Sequence, residues 1–353
     1  MNTVLTPNPV LGIVIFMLGG LAGAVFYLPF SRVKKWAWES YWLVYALIGL
    51  VVVPWILALV TAPNTLAVLA AAPRNELVYC LIAGMLWGFG GLTFGLMVRY
   101  LGVGLGLAMG VGLTSAAGTL IPPVLKGKEA INAMLATPGG KISVVAAAVS
   151  LLGIVCVGLA GRSKESELPE EEKKKAVAEF DFRKGVIAAL FTGLMSSAMN
   201  IGLQGGPSLQ KLALTTAPVT PVTWAGMPVL VVVLLGGFII NGGWCLVLNF
   251  KNRTLGNYVD RSTPVAGNFF FAALAGSIWC MQFVCLKTGE PSMGKTAYIG
   301  WAVLMAASIF FSQLLGILMG EWKGTSQKTR TLLAAGLALL FASSIIAGVA
   351  GAM

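Results

Sequence analysis

The sequence predicts an all-α membrane protein, with ten transmembrane helices arranged as two inverted five-helix repeats. Three observations carry that expectation: the length of the apolar runs, the scarcity and placement of charge, and one polar stretch that divides the runs five and five. Hydrophobic residues make up 57% of the 353 and charged residues only 10%, with a mean hydropathy of +0.86. Soluble domains carry about 25% charge. A chain this apolar cannot bury its surface in water, so its solvent must be lipid. A spanning helix needs roughly 20 mostly apolar residues. Ten such runs occur, at 9–30, 40–61, 77–99, 103–125, 142–161, 184–203, 222–248, 266–286, 297–319 and 331–352.

In chain order, the first run is expected to persist as a spanning helix and not to be cut off as a signal peptide. Residues 1–31 contain no Lys or Arg, so a positive n-region is missing. The second run follows Arg32, Lys34 and Lys35, and Trp36 and Trp38 suit an interfacial aromatic belt. In the third, read as a helix, Gly84, Gly88, Gly91 and Gly95 share one stripe, with Trp87 and Phe94 at its edge. The fourth carries Gly102, Gly106 and Gly110 at the same spacing. In lipid, small residues four apart let helix backbones approach closely, so these two spans should pack tightly on each other or on their neighbours.

After the fifth run comes the long polar stretch, residues 162–183, expected to be a charged cytoplasmic linker. Glu170/Lys174 and Glu171/Lys175 stand at i,i+4 spacing within it. The linker separates a first repeat, 1–161, from a second, 184–353. An odd-numbered repeat must sit the other way up in its second copy, which places a site near the midplane between the copies. Gly84-Met-Leu-Trp87 resembles Gly276-Ser-Ile-Trp279, and Gly158-Leu-Ala-Gly161 resembles Gly348-Val-Ala-Gly351, at nearly equal offsets. Tyr27 and Asn200 also correspond by their distance from Gly20-Leu21 and Gly193-Leu194.

Net charge is +11, but it lies between the spans and so reports orientation, not nucleic-acid binding. The loops after odd-numbered spans hold 17 basic residues and the others seven. The richer set should be cytoplasmic, with both termini on the outer side.

Several function classes are excluded. The five Cys fall in apolar runs without a CxxC pair and His is absent, so neither metal nor disulfide chemistry is expected. Gly289–Thr296, GEPSMGKT, matches the P-loop pattern. That loop works only between a strand and a helix in an α/β domain, and this copy joins two spans, so no nucleotide is expected. No catalytic constellation and no cofactor site is visible; the chain is not read as an enzyme.

The remaining candidates are uncharged polar residues at membrane depth: Tyr27, Thr93, Thr114, Ser115, Ser196, Ser197, Asn200, Asn241 and Gln282. A lone amide in hydrocarbon costs several kcal/mol, so each must bond either a neighbouring helix or a solute. Amides bond hydroxyls in both directions, and Trp87, Trp279 and Trp301 offer flat faces for a sugar's C–H groups. This combination suits a small neutral polyhydroxylated ligand. Arg99 ends the third span and is a snorkelling cation or a coupling group. Glu39, just inside the second span, is the best proton carrier among Glu39, Glu290 and Glu321. Its plainer role is pairing with Lys34, Lys35 or Arg99.

Phe26-Tyr27-Leu28-Pro29-Phe30 followed by Val33-Lys34-Lys35-Trp36-Ala37-Trp38-Glu39 resembles the start of the L-rhamnose–proton symporter family, of the drug/metabolite transporter superfamily. The resemblance continues through Gly84-Met85, Trp87-Gly88, Arg99-Tyr100-Leu101-Gly102, Gly118-Thr119-Leu120, Ala198-Met199-Asn200, Ile239-Ile240-Asn241, Gln282-Phe283 and Glu321-Trp322. It implies an alternating-access importer of L-rhamnose or a related deoxysugar with protons, in the bacterial cytoplasmic membrane. Tyr27, Trp87, Phe94, Thr114, Asn200, Asn241, Trp279, Gln282 and Trp301 would bind the sugar, and Glu39 and Arg99 would take part in ion coupling. Gly91 and Phe94 stand where the family pattern has Asn and Tyr, and this chain has none of the family's His residues. Sodium coupling, simple facilitation, another cargo such as a nucleoside, amino acid or drug, and a non-transporting receptor or scaffold are the alternatives.

Overall fold

The computed structural model describes residues 8–125, 127–168 and 179–350. The long helices are α1 (Pro9–Val25), α2 (Trp38–Thr61), α3 (Arg74–Leu101), α4 (Val103–Leu125), α5 (Pro138–Glu167), α6 (Phe182–Gln204), α7 (Met227–Lys251), α8 (Val265–Gly289), α9 (Gly300–Leu318) and α10 (Gln327–Ala350). Seven helical segments of the described residues are long and apolar enough to cross a bilayer: Pro9–Arg32, Trp38–Thr61, Arg74–Leu101, Pro138–Glu167, Phe182–Thr215, Val222–Lys251 and Val265–Gly294. Val103–Gly118 and Val303–Leu318 are shorter apolar helices.

Local chemistry sets the ends. Asn8 and Asp181 cap α1 and α6 by accepting hydrogen bonds from Leu11 N and Lys184 N. Pro9 and Pro138 occupy first-turn positions, where a missing N–H costs nothing. A single residue, Gly102, joins α3 to α4 with φ +85°, a left-handed backbone that side-chain-bearing residues avoid. Within α2 the turn Ile48–Val52 is a π-helix ahead of Pro54, whose ring cannot continue the regular hydrogen-bond ladder.

The linker begins later than expected, because α5 runs on to Glu167. The pairs Glu170/Lys174 and Glu171/Lys175, and Gly351 of the second repeat match, lie outside the described residues. Short helices at Thr65–Ala71, Lys128–Ala136 and Pro207–Thr215 occupy connections that the sequence leaves as loops. The P-loop-like segment continues α8 as a 3-10 helix, Glu290–Ile299.

Helices pack as α1 on α8 and α9, α6 on α3 and α4, α2 on α7 and α8, α3 on α7, α4 on α5 and α9, α9 on α10, and α5 on α10. Glycine sets the closest crossings. A Cβ at Gly84 would lie 1.9 Å from the Val233 carbonyl oxygen, and one at Gly236 would lie 2.1 Å from that of Leu81. Gly49 and Gly276 meet in the same way between α2 and α8. The glycines of α3 therefore serve α7 and, through Gly90 against Ser196, α6. In α4, Gly106 and Gly110 face Met97 of α3, Gly104 faces Gln313 and Glu321, and Gly112 faces Ile154 of α5 and Leu340 of α10. Trp36 is buried between Tyr258 and Phe269 and is no interfacial belt residue.

Candidate functional site

Two spaces lie among the helices. The inner one is a cavity of about 80 Å³ bordered by α1, α2, α3, α4, α6, α8 and α9. The outer one is a cleft of about 960 Å³ on the side of Arg99, Glu179 and Glu321.

Of the residues expected to bind the solute, Trp87, Phe94, Thr114, Trp279, Gln282 and Trp301 all line the inner cavity. Trp87 and Trp279 stack, with ring centroids 4.9 Å apart and planes at 27°. Gly237 beneath Trp87 makes this possible, since a Cβ there would meet the ring at 2.3 Å. Trp279 also packs on Phe283 at 4.9 Å. Gln282 follows Trp279 by three residues on the same helix; its side-chain nitrogen donates to Ser308 Oγ at 3.4 Å, a long bond, and Gly23 leaves room for the carboxamide. The Trp301 indole N–H is buried and has no hydrogen-bond partner among the described residues. Thr114 donates to the carbonyls of Gly110 and Gly193, so its hydroxyl offers a solute only an acceptor.

Tyr27 lines the cleft instead, where it and Phe26 pack on Phe94 at 6.3 and 5.3 Å. These three rings form a partition between cleft and cavity. Asn241 borders neither space. Its side-chain oxygen accepts from Trp42 Nε1 at 3.0 Å, and its nitrogen donates to the carbonyls of Gly88 and Gly237, both at 3.0 Å. It is a strut tying α2, α3 and α7 and fixing Trp42 in the cavity wall. Asn200 is likewise outside both spaces and accepts from Gln204 Nε2 at 2.8 Å.

Arg99 is exposed in the cleft and forms an ion pair with Glu179 at 2.6 Å. Glu39 is buried at the start of α2, where its Oε1 accepts from Asn252 Nδ2 at 2.9 Å and Thr254 Oγ1 at 3.0 Å. Neither Lys34, Lys35 nor Arg99 pairs with it.

Sequence reasoning left Phe26, Trp42, Tyr45 and Thr192 out of the binding set, although they line the cavity beside Ser196. Thr192, Ser196 and Met199 follow the i, i+4, i+7 spacing of one helix face. That spacing is a legible signal for α6. The Thr192 hydroxyl pairs with Thr93 at 2.7 Å. Among the described residues no charged side chain lines the inner cavity, whose walls are aromatic faces, methionines and small apolar groups, hydroxyls and one carboxamide.

Against this geometry, residues 5–353 match the family model described as L-rhamnose-proton symport protein (RhaT). The chain belongs to the L-rhamnose-proton symport protein family. Among curated relatives, the L-rhamnose-proton symporters of Shigella dysenteriae serotype 1 and Escherichia coli strain ATCC 8739 are each 28% identical to it, over 96% of this chain and 97% of theirs. That of Yersinia pestis strain Pestoides F is 29% identical over the same shares. No solved structure matches. The L-rhamnose-proton symport family is one of carriers and not of enzymes.

Proposed function

We propose that this chain is a secondary active transporter that imports L-rhamnose, or a closely related deoxysugar, with protons across the bacterial cytoplasmic membrane. The observation that carries the reading is the uncharged inner cavity, with Trp87 stacked on Trp279 and Gln282 beside the unpartnered Trp301 N–H. Indole faces take the apolar side of the pyranose, and the carboxamide and indole N–H take hydroxyls. A buried donor without a partner costs about 1–3 kcal/mol, which a sugar oxygen at Trp301 would offset.

The cavity of about 80 Å³ is small beside the 300–1,000 Å³ of ordinary ligand pockets, so the sugar enters as the Phe26/Tyr27/Phe94 partition gives way. The cleft beyond it lies on the side of the charged linker, which the distribution of Lys and Arg assigns to the cytoplasm. This conformation is therefore inward-facing, with both termini outside. All ten long helices span, in two inverted repeats of five. The packing list supports that duplication: adding five to each helix of the first half, and subtracting five in the second, maps the contacts of α1 with α8 and α9 onto those of α6 with α3 and α4, α2 with α8 onto α7 with α3, and α4 with α5 onto α9 with α10. Asn241 acts as a positioning residue, Tyr27 and Phe94 as the partition, and Asn200 through α6. Proton coupling is assigned to Glu39, a buried carboxylate with no cation partner among the described residues; Arg99 orders the cleft through Glu179.

Uptake of labelled L-rhamnose into proteoliposomes tests this. Accumulation driven by an imposed pH gradient is expected. Equilibration alone means a facilitator, dependence on sodium means another coupling ion, and absence of any rhamnose flux removes the cargo assignment.

A further inference from the structure

Three of the five buried polar atoms without a hydrogen-bond partner among the described residues fall in one region: Gln313 Oε1 borders the space at Gly104 with Glu321, Trp322 follows Glu321 in the chain, and Lys164 Nζ lies over the Trp322 ring. Buried polar groups in folded proteins are nearly always paired, so such a cluster calls for an explanation. Glu321 sits in the turn after α9 and is 2% exposed. Its two oxygens accept from the backbone nitrogens of Val103 at 2.7 Å and Gly104 at 3.0 Å, the first turn of α4. It thus ties α9 to α4, and it borders the cleft. Lys164 of α5 is 1% exposed, with its ammonium 5.0 Å over the Trp322 ring and 5.2 Å over that of Phe180.

Gly104 leaves the space in which an acceptor faces an acceptor. The position its Cβ would take lies 3.0 Å from Glu321 Oε2 and 3.2 Å from Gln313 Oε1. The Gln313 orientation is fixed, because its nitrogen donates to the Gly104 carbonyl. Both oxygens border the same small space and both are acceptors, and Gln313 Oε1 has no donor among the described residues.

We propose that Glu321 is a proton-binding site separate from Glu39, held between the Lys164 ammonium and the Gln313 carbonyl oxygen, and that its protonation releases α4 from the turn after α9. A proton taken from the cleft onto a Glu321 oxygen becomes the hydrogen that Gln313 Oε1 lacks. The neutral acid is then a weaker partner for the N-terminal N–H groups of α4 than the carboxylate. Burial raises the Glu321 carboxyl above its ordinary range, opposed by Lys164 and the α4 amides. α4 and α9 supply no ionisable side chain. Lys323, Lys328 and Arg330 of the following segment are exposed, and the Arg99–Glu179 pair lies across the cleft. Lys164 is therefore the charge that sets the affinity for the proton. The inference rests on the carrier reading for its consequence but not for the site.

Infrared titration of the full-length protein in liposomes reads the site without any sugar. The carbonyl band of protonated carboxyls is expected to titrate in the wild type, to lose one component in Glu321→Gln that is distinct from any component lost in Glu39→Gln, and to have that component move to higher pH in Lys164→Met, since a nearby opposite charge favours the ionised carboxyl. Rhamnose exchange at equal pH on both sides is expected to depend less on pH in Glu321→Gln than in the wild type, with the loss falling over the pH range in which the Glu321 component titrates. A Glu39→Gln variant keeps the Glu321 component. An unchanged band in Glu321→Gln, or a downward or absent shift in Lys164→Met, overturns the proposal. A normal titration in a protein that moves no rhamnose overturns the cargo assignment and leaves the proton site standing.

Discussion

Gly237→Ala isolates what positions the stacked indoles. The added methyl would sit 2.3 Å from Cζ3 and 2.5 Å from Cε3 of Trp87. The ring must withdraw by roughly 1 Å to regain ordinary contact, and the direction left to it is toward Trp279, already 4.9 Å away across the cavity. Overpacking of this kind costs about 1–3 kcal/mol. If about 1–2 kcal/mol of it falls on the sugar-bound state, affinity drops by about 5–30-fold. Gly243→Ala, on the same helix with nothing within 4 Å of its Cβ position, is the control and should leave transport unchanged. Rhamnose binding to purified protein and the KM of exchange in proteoliposomes read the difference, and thermal unfolding separates a local shift from general destabilisation. Equal rhamnose affinity for the two variants would refute the claim that Gly237 sets the Trp87 position on which the site depends.

Three further outcomes are expected. Gln282→Ala should weaken sugar binding about tenfold, on the order of one lost hydrogen bond of about 1.4 kcal/mol, with expression intact; unchanged affinity takes Gln282 out of the site. Glu39→Gln preserves an oxygen for Asn252 and Thr254 and should spare sugar exchange while abolishing gradient-driven accumulation; persisting accumulation reduces Glu39 to a pin for the segment after α7. The Asp181 carboxyl is held below its ordinary value of 3.8, first by the Lys184 backbone N–H and then by the Lys184 side chain. Its depressed value means that its contribution to stability is present above that value and is lost as pH falls through the lower folded one. Thermal unfolding of Asp181→Asn against the wild type should therefore differ near neutrality and converge in strong acid.

The sequence by itself determined the lipid-embedded class, the position of each apolar run and the aromatic and carboxamide residues that line the inner cavity. These follow from local quantities: run length, charge density and residue type at helical spacing. Trp87, Phe94, Trp279, Gln282 and Trp301 were legible because large or polar side chains inside apolar runs need an explanation before any fold is known. What only the tertiary structure decided is which of those polar groups are already satisfied. Asn241 looks in sequence like Gln282, yet it is consumed by Trp42 and two helix carbonyls, and Asn200 turns out to border neither space. The depth of the acids was hidden for the same reason. Glu321 lies three residues past the end of α9 and reads as a surface residue, but Gly104 and Gly316 let the α4–α9 contact close over it. Hydrogen-bond satisfaction and burial depend on partners distant in the chain, such as Glu39 and Asn252 or Val103 and Glu321, and no local pattern records which of them meet.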